Sequence, residues 1–221
     1  GLGIRVVYYI SPQIWAWNTK RVHELGKNVD RMLVILPFEK AFYEKHGYAV
    51  EFVGHPLLDV TEQYESKHIY PSDRPIIALL PGSRKQEISR MLAVIPAFPQ
   101  YQFYIAGAPA VEEAFYQKLL RAAKLTQVPP LVFGQTYDLL SQAKVALVAS
   151  GTATLETALF QVPQVVCYQG SWMNYWIFRA LIKVKFISLV NLIMDRQIVT
   201  ELIQGDFQST QLIAELQRLL A

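Results

Sequence analysis

Short apolar runs rich in β-branched residues alternate along the 221-residue chain with stretches in which apolar side chains recur at helical spacing. The apolar runs predict strands at 6–10, 31–36, 52–54, 76–80, 103–106, 131–133, 145–149 and 165–168. The helical stretches predict helices at 20–26, 39–45, 88–97, 111–123, 137–143, 155–160 and 209–221, the last capped by Ser209 or Thr210. Because strands and helices alternate, the pattern predicts an α/β fold with parallel sheets.

A polar passage, TEQYESKHIYPSDRP at 61–75, interrupts this alternation and has the composition of a linker. We therefore place a domain boundary near residue 58. Residues 1–58 are expected to form the end of one Rossmann-like domain, and residues 59–221 a second, nearly complete one with five strands and C-terminal helices.

The composition narrows the function classes. A hydrophobic content of 52% supports a sizeable core. The net charge of +3 comes without long Lys/Arg runs, which argues against nucleic acid as a partner and leaves anionic ligands or an anionic membrane surface open. The single cysteine, Cys167, lies in an apolar run and predicts a buried thiol. Because the chain begins directly with a strand and lacks an initiator Met, we expect it to be a piece of a longer protein.

Ligands of open α/β sheets bind outside the carboxyl ends of the strands, so the candidate residues are those that follow each apolar run. They are PGSRKQE (81–87), AGA (106–108), GQ (134–135) and SGTATLE (150–156). In the last of these, the small residues Ser150, Gly151 and Thr152 let the backbone approach a ligand, and the N–H groups of the helix start favour a phosphate. Glu156, one turn on, suits the hydroxyls of a ribose. The alternative is an ordinary helix cap with a carboxylate that complements the helix dipole.

A second turn of this kind contains Gly82, Ser83 and Arg84. The guanidinium fork of Arg84 suits diphosphate oxygens, although an ordinary solvated arginine is the alternative. The chain contains no GxGxxG and no GxxxxGK[ST], which disfavours a dinucleotide fingerprint and a P-loop. Its four histidines lack metal-ligand spacing. One of them, His55, lies at the predicted domain junction and is either a site residue or a satisfied structural histidine.

Six stretches form a specific set in this order: YISPQIWAW (9–17) with Arg21, LPFEKAFYEKHG (36–47), VGHPLLD (53–59), LPGSRKQEI (80–88), ASGTATLE (149–156) and SLVNLIMDRQIVTELIQ (188–204). On these stretches the chain resembles the lipid-A-disaccharide synthase family, glycosyltransferases of the two-Rossmann-domain type called GT-B. The resemblance spans nearly the whole chain.

The resemblance implies a reaction that joins UDP-2,3-diacylglucosamine to 2,3-diacylglucosamine 1-phosphate (lipid X). The products are the β-1′,6-linked lipid A disaccharide 1-phosphate and UDP. The family inverts the anomeric centre and works without a bound metal or other cofactor. The helix amides at Gly151 and Thr152 and the guanidinium of Arg84 are then expected to stabilise the charge of the departing UDP.

By the same resemblance, Glu156 holds the ribose, and Asn191 lines the donor cleft with Ser188 and Leu189. Arg84 and Asn191 are the catalytic candidates. The chain departs from the family at Val190, where the family commonly has Pro. A second departure is larger, because the family's candidate general base is an aspartate in a segment that precedes the first strand of this chain. We therefore expect the 221 residues to be inactive alone.

The acceptor side is expected to include Trp15, Trp17, Lys20, Arg21 and His55. Lys20 and Arg21 suit the 1-phosphate of the acceptor, and a salt-bridged surface is the alternative.

The stretch WMNYWIFRALIKVKF at 172–186 mixes aromatic and basic residues as an interfacial helix does. A core element or a dimer contact would have the same composition. The resemblance implies a homodimer in the cytoplasm, peripheral on the inner face of the bacterial inner membrane.

Two other functions stay open. A UDP-sugar 2-epimerase shares the two-domain fold, a Gly-His-Pro hinge and a similar Ser-Gly-Thr turn, but it gives the tryptophans at 15–17 no evident task. A non-catalytic nucleotide-binding or dimer-forming module is the other alternative.

Overall fold

The computed structural model describes residues 4–170 and 185–221. They divide into two compact units. Among the described residues, the N-terminal unit contains 4–63 and Lys185, and the C-terminal unit contains 64–170 and 186–221.

The N-terminal unit is a small α/β layer. Its elements are β1 (Val7–Tyr9), α1 (Ile14–Trp17), a 3-10 turn (Thr19–Arg21), α2 (Val22–Asn28), β2 (Arg31–Val34), α3 (Pro37–Lys45), β3 (Glu51–Phe52) and α4 (Pro56–Glu62). The strands form a parallel sheet in the order β1-β2-β3. Ile14, Val22, Val34 and Tyr43 are fully or almost fully buried in its core.

The C-terminal unit contains a six-stranded sheet. Its elements are β4 (Ile76–Leu80), α5 (Lys85–Leu92), β5 (Gln102–Gly107), α6 (Glu113–Ala123), β6 (Leu131–Phe133), α7 (Thr136–Leu140), β7 (Ala143–Ala149), α8 (Thr152–Leu159), β8 (Gln164–Tyr168), α9 (Leu189–Met194), β9 (Thr200–Ile203) and α10 (Ser209–Leu220). The strand order is β6-β5-β4-β7-β8-β9, and all pairs are parallel.

The order of the strands determines where a ligand can bind. From β4 the chain first adds β5 and β6 on one side and then returns to add β7, β8 and β9 on the other. The order therefore reverses between β4 and β7, and a crevice forms there at the carboxyl ends of the strands. All five residues of β4 are buried, as expected for a parallel sheet covered on both faces.

Most predicted elements are present, and three expectations were wrong. The C-terminal sheet has six strands instead of five, because the edge strand β9 buries one of its four residues and so lacks a long apolar run. The sequence pattern also missed helix α4, because Pro56–Glu62 is helical and contains residue 58, where the boundary was predicted. Gln208 occupies the N-cap of the last helix, where no side chain makes a capping hydrogen bond, so neither Ser209 nor Thr210 caps it.

The predicted interfacial helix at 172–186 lies outside the described residues except for its last two. Among the helices of the described part, none has the length and apolar character that crossing a bilayer requires.

Candidate functional site

A cavity of about 510 Å³ lies at the carboxyl ends of β4, β5, β6 and β7, entirely within the C-terminal unit. Each of the four predicted strand ends contributes small residues to its wall. The ends of β5 and β7 contribute several each, and the ends of β4 and β6 contribute the single glycines Gly82 and Gly134. The lining residues are Tyr64, Leu80, Gly82, Ala106, Gly107, Ala108, Pro109, Gly134, Thr136, Tyr137, Ala149, Ser150, Gly151, Thr152, Ala153 and Glu156. The structure therefore brings the predicted strand ends together around one cavity.

The turn between β7 and α8 forms one side of the cavity. Gly151 is the N-cap of α8, and no side chain in the described part of the chain makes a capping hydrogen bond there. A Cβ built on Gly151 would meet nothing within 4 Å, so the backbone faces open space. Ser150 donates a long hydrogen bond of 3.4 Å from Oγ to the carbonyl of Ile187. The ordinary side-chain cap is thus not what the structure shows, and the helix start is accessible to a ligand.

Glu156 lies one turn into α8 and is half-buried in the cavity wall. Its Oε1 accepts a hydrogen bond of 3.0 Å from the hydroxyl of Tyr137 on α7. Burial, together with the neighbouring Glu156 carboxylate, raises the pKa of Tyr137 to about 12, so this hydroxyl keeps its proton and remains a donor. The Oε2 of Glu156 accepts no hydrogen bond from the described residues and is available to a ligand hydroxyl.

Gly82 follows β4 and reaches the cavity. Its φ of +65° lies in the left-handed region, and an added Cβ would come within 3.3 Å of the Cβ of Ala149. Both observations explain why glycine stands at this position. Ser83, the next residue, is not among the lining residues.

Arg84 does not line the cavity either, but it is held close to Gly82. Its Nη1 lies 3.0 Å from Oε1 of Glu87, and the guanidinium lies 5.1 Å from the ring centroid of Tyr168. Glu87 is almost completely buried, and its Oε1 also accepts a hydrogen bond of 2.9 Å from the backbone N–H of Gln169. Half of the Arg84 side chain stays exposed. Its guanidinium therefore has a fixed anchor and further N–H groups for an anion.

Asn191 is placed differently from the prediction. Its side chain is fully buried at the start of α9. Oδ1 accepts from the N–H groups of Ile198 and Val199 at 2.7 and 3.0 Å, and Nδ2 donates to the carbonyl of Val199 at 2.9 Å and to Oε1 of Glu201 at 2.8 Å. Because all four hydrogen-bonding positions of the amide are filled within the protein, the structure does not bring Asn191 into the cavity.

Ser188 shares this network, which fixes the segment beside Ser150. It caps α9 by accepting from the N–H of Asn191, and it donates from Oγ to Glu201 at 2.7 Å. Glu201 also accepts from the backbone N–H groups of Ile187 and Ser188, each at 3.0 Å. Leu189, predicted to line the donor cleft, begins α9 and is likewise absent from the cavity wall.

The residues predicted for the acceptor side all belong to the N-terminal unit. Trp15 donates from Nε1 to Oε1 of the buried Glu39 at 3.2 Å. Trp17 closes α1, and Lys20 is exposed in the 3-10 turn that follows. Arg21 lies 4.0 Å from Glu24 in an exposed ion pair.

His55 is the N-cap of α4. Its Nδ1 accepts a hydrogen bond of 3.2 Å from the N–H of Leu57, and burial lowers the pKa of its imidazole. The neutral ring is therefore favoured, as an accepting nitrogen requires. These contacts fit the structural histidine that the sequence left as one of two alternatives, and they use Nδ1 alone, so Nε2 remains for the acceptor-side role.

Sequence reasoning missed the two tyrosines of the cavity wall. Tyr64 lies in the passage interpreted as a linker, and Tyr137 in a helix to which no function was assigned. Their proximity to Glu156 depends on chain packing over 92 and 19 residues, so no local motif could indicate it.

A family model described as Lipid-A-disaccharide synthetase matches residues 1–221. A lipid-A-disaccharide synthase of Anaeromyxobacter dehalogenans is 42% identical over 99% of this chain and 60% of its own length. Lipid-A-disaccharide synthase 1 of Legionella pneumophila is 38% identical over 96% of this chain and 58% of its own. The chain thus spans about 60% of the length of these relatives.

Solved structures share the fold at low identity. ADP-heptose lps heptosyltransferase II of E. coli superposes with a TM-score of 0.54 at 14% identity, covering 97% of this chain and 76% of its own. The UDP-GlcNAc 2-epimerase of Methanocaldococcus jannaschii gives 0.54 at 12% identity, over 87% and 55%. These likenesses confirm the predicted fold class, α/β of the Rossmann-like GT-B type, and say nothing about activity.

Proposed function

We propose, because the chain belongs to the lipid-A-disaccharide synthase family, that it carries the UDP-sugar site of an inverting glycosyltransferase. The reaction transfers 2,3-diacylglucosamine from its UDP conjugate to 2,3-diacylglucosamine 1-phosphate, giving lipid A disaccharide 1-phosphate and UDP. Residues 59–221 act as the donor-binding domain, and residues 1–58 form the end of the acceptor domain.

One observation carries this proposal: the start of α8, which no described side chain caps, and a Glu156 oxygen that accepts no hydrogen bond from the described residues face the same cavity at the β4/β7 switch point. The first requirement of a nucleoside diphosphate is a site for its anionic end, and the N-terminus of α8 offers N–H groups and the positive end of a helix dipole. The second is a polar group for its ribose, about one helical turn away. Glu156 stands at that distance.

The leaving group acquires negative charge as the bond between the anomeric carbon and the diphosphate oxygen breaks. The amides at Gly151 and Thr152 are positioned to stabilise this charge, and Ser150 borders the same turn. Arg84 adds a guanidinium whose Nη1 is anchored on Glu87 while its other N–H groups are available to the diphosphate. Gly82 and Ser83 form the turn that lets the β4 end approach the donor.

Glu156 accepts the ribose hydroxyls at Oε2 while Tyr137 holds Oε1. Asn191 contributes indirectly, since its amide is committed within the protein and braces the segment that contacts Ser150. Its role is therefore that of a positioning residue.

The acceptor oxygen forms the new bond and must lose its proton to a general base. The family resemblance assigns that base to an aspartate outside these 221 residues, so the chain is expected to bind donor without completing transfer. Trp15, Trp17, Lys20, Arg21 and His55 are proposed for the acceptor side.

Both substrates carry acyl chains, which supports a site of action at a membrane surface, and the family resemblance implies the cytoplasmic face of the inner membrane. The net charge of +3 is compatible with an anionic lipid surface, and nucleic acid is not proposed as a partner. A homodimer is proposed from the family alone.

Calorimetric titration of UDP into the 221-residue chain tests the donor site. Glu156→Ala removes a charge-assisted hydrogen bond to the ribose and is expected to cost about 1.5–3 kcal/mol, or roughly ten- to a hundred-fold in affinity. Glu113→Ala, which removes an exposed carboxylate from α6, is the matched control and should leave the affinity unchanged.

NAD serves as the control ligand and should not bind. A folded wild-type chain that binds no UDP, or an affinity equal in Glu156→Ala and wild type, contradicts the assignment of this cavity. Turnover of UDP-N-acetylglucosamine without any lipid would instead support the epimerase alternative.

A further inference from the structure

The segment 64–70 folds back onto α7, although its sequence has the composition of a linker. Asp138 on α7 is almost completely buried, and its Oδ1 accepts from Ser66 Oγ at 3.1 Å, from Lys67 N at 2.6 Å and from His68 N at 3.3 Å. The hydroxyl of Tyr64 interacts with the same carboxylate. One buried acidic side chain thus holds three groups of this segment by hydrogen bonds.

The charge of Asp138 is retained despite its burial. Burial by itself raises the pKa of this carboxyl, but the hydrogen bonds from Lys67, His68 and Ser66, together with the nearby Tyr64 hydroxyl, lower it below its ordinary value. A second anchor lies nearby, because the side-chain amide of Gln142 accepts from the N–H of Tyr70 at 3.0 Å and donates to the carbonyl of His68 at 2.8 Å. The segment is therefore tied to the sheet domain and is not a free tether.

This anchoring places the ring of Tyr64 in the cavity wall. Its centroid lies 5.3 Å from that of Tyr137, with the planes perpendicular, and 5.8 Å from that of Phe160. Tyr137 and Phe160 are in turn 5.1 Å apart. We call these three rings the aromatic cluster. It adjoins the site because Tyr137 donates to Glu156.

We propose that Tyr64 is a binding residue for the nucleoside of the UDP-sugar and that Asp138 is the residue that positions it. This inference rests on the donor site proposed above. The apolar face of a phenol ring suits a base or a ribose and offers nothing to a diphosphate, which the α8 amides can bind. The aromatic cluster also lies on the Glu156 side of the cavity, where the ribose is expected.

The segment that joins the two units is then part of the ligand site. Its order and the occupancy of the cavity are coupled, because a ligand that contacts Tyr64 favours the anchored conformation. A sequence interpreted as a spacer between domains thereby acquires a role in substrate recognition.

Calorimetric titrations of UDP and of inorganic pyrophosphate test this assignment. Tyr64→Leu removes the ring and should weaken UDP binding about tenfold, as expected for a lost base-to-aromatic contact, with pyrophosphate binding unchanged. The matched control is Tyr101→Leu, which removes a partly buried tyrosine packed on Phe98 outside the cavity wall. It should change neither affinity.

A double-mutant cycle between Asp138 and Tyr64 tests the positioning role of Asp138 with UDP alone, without the pyrophosphate titration. Asp138→Asn weakens UDP binding in the wild-type background but should have no further effect when Tyr64 is already Leu. Tyr64→Phe, which keeps the ring and loses the hydroxyl, should fall between wild type and Tyr64→Leu. If Tyr64→Leu is not folded by circular dichroism, Tyr64→Phe replaces it, and the effects of Tyr64→Phe and Asp138→Asn on UDP affinity are then expected to be less than additive, because both remove the contact of the hydroxyl with Asp138.

The outcomes separate this inference from the proposed function. UDP binding that weakens in Glu156→Ala but is the same in Tyr64→Leu and Tyr101→Leu overturns the role of Tyr64 and leaves the donor site standing. Equal losses of UDP and pyrophosphate binding, or additive effects in the cycle, show a merely structural tyrosine. A wild-type chain that binds no UDP overturns both.

Discussion

Replacing Asn191 with alanine is expected to destabilise the C-terminal unit strongly. The change removes two hydrogen bonds from the N–H groups of Ile198 and Val199, one to the carbonyl of Val199 and one to the carboxylate of Glu201. At about 1 kcal/mol for each neutral bond and about 1.5–3 for the charged one, the sum is about 4.5–6 kcal/mol. Water entering the vacated space restores part of this, so we expect a loss of about 3–5 kcal/mol.

Urea unfolding followed by circular dichroism measures this loss. With an m value of about 2 kcal/mol per M, the midpoint of the C-terminal unit should fall by about 1.5–2.5 M. Gln211→Ala removes an exposed amide from α10 and should stay within about 0.5 kcal/mol of wild type. A variant at residue 191 that keeps wild-type stability and loses UDP affinity would refute the bracing role and restore the direct donor contact that the sequence indicated.

Two further predictions concern the β4 end of the cavity. Gly82→Ala should lower the free energy of unfolding by about 1–2 kcal/mol because of the positive φ, and by more because the new Cβ contacts Ala149. Gly134→Ala is the matched variant, since Gly134 has a φ of +67° and nothing within 4 Å, and it should show only the loss that is due to φ. The difference between the urea midpoints of the two variants measures the contact with Ala149. For Glu87, burial raises the pKa of the carboxyl in the folded state above the ordinary value of 4.5. The folded state therefore binds the proton more tightly than the unfolded state, which adds to the free energy of unfolding. This contribution is fully present below pH 4.5 and is lost as the pH rises through the folded-state pKa. The unfolding free energy of wild type relative to Glu87→Gln should therefore fall as pH is raised from 4.5, and a difference that is flat with pH contradicts this.

Local signals account for what the sequence predicted correctly. The strands of the C-terminal sheet are continuous apolar runs because both faces are covered, so β4 and β7 are recognisable without their neighbours. Cys167, predicted to be a buried thiol, is indeed fully buried in β8. The Ser150 turn and Glu156 also share one local element, which made their convergence on the cavity predictable.

Long-range packing accounts for what the sequence did not reveal. The ring of Tyr64 lies in the cavity wall, and its segment is hydrogen-bonded to Asp138 and Gln142, which lie 71 and 72 positions along the chain from the groups they bind. The amide of Asn191 suits either a residue that contacts the donor or a buried residue that braces the fold, and the sequence does not distinguish these roles. Its four hydrogen bonds within the protein favour the second role. Such choices depend on atoms that no motif specifies.

The ion pair of Arg84 with Glu87 has an electrostatic consequence for how a donor arrives. With its countercharge 3.0 Å away, the guanidinium projects little net field beyond the Debye length of about 8 Å at physiological ionic strength. The amides of α8 are partial charges whose effect also fades within the first turn. The electrostatic attraction from Arg84 and the α8 amides therefore acts at short range, after a diphosphate has entered the cavity. We expect the cavity to select among anions by shape and hydrogen bonding more than by their total charge.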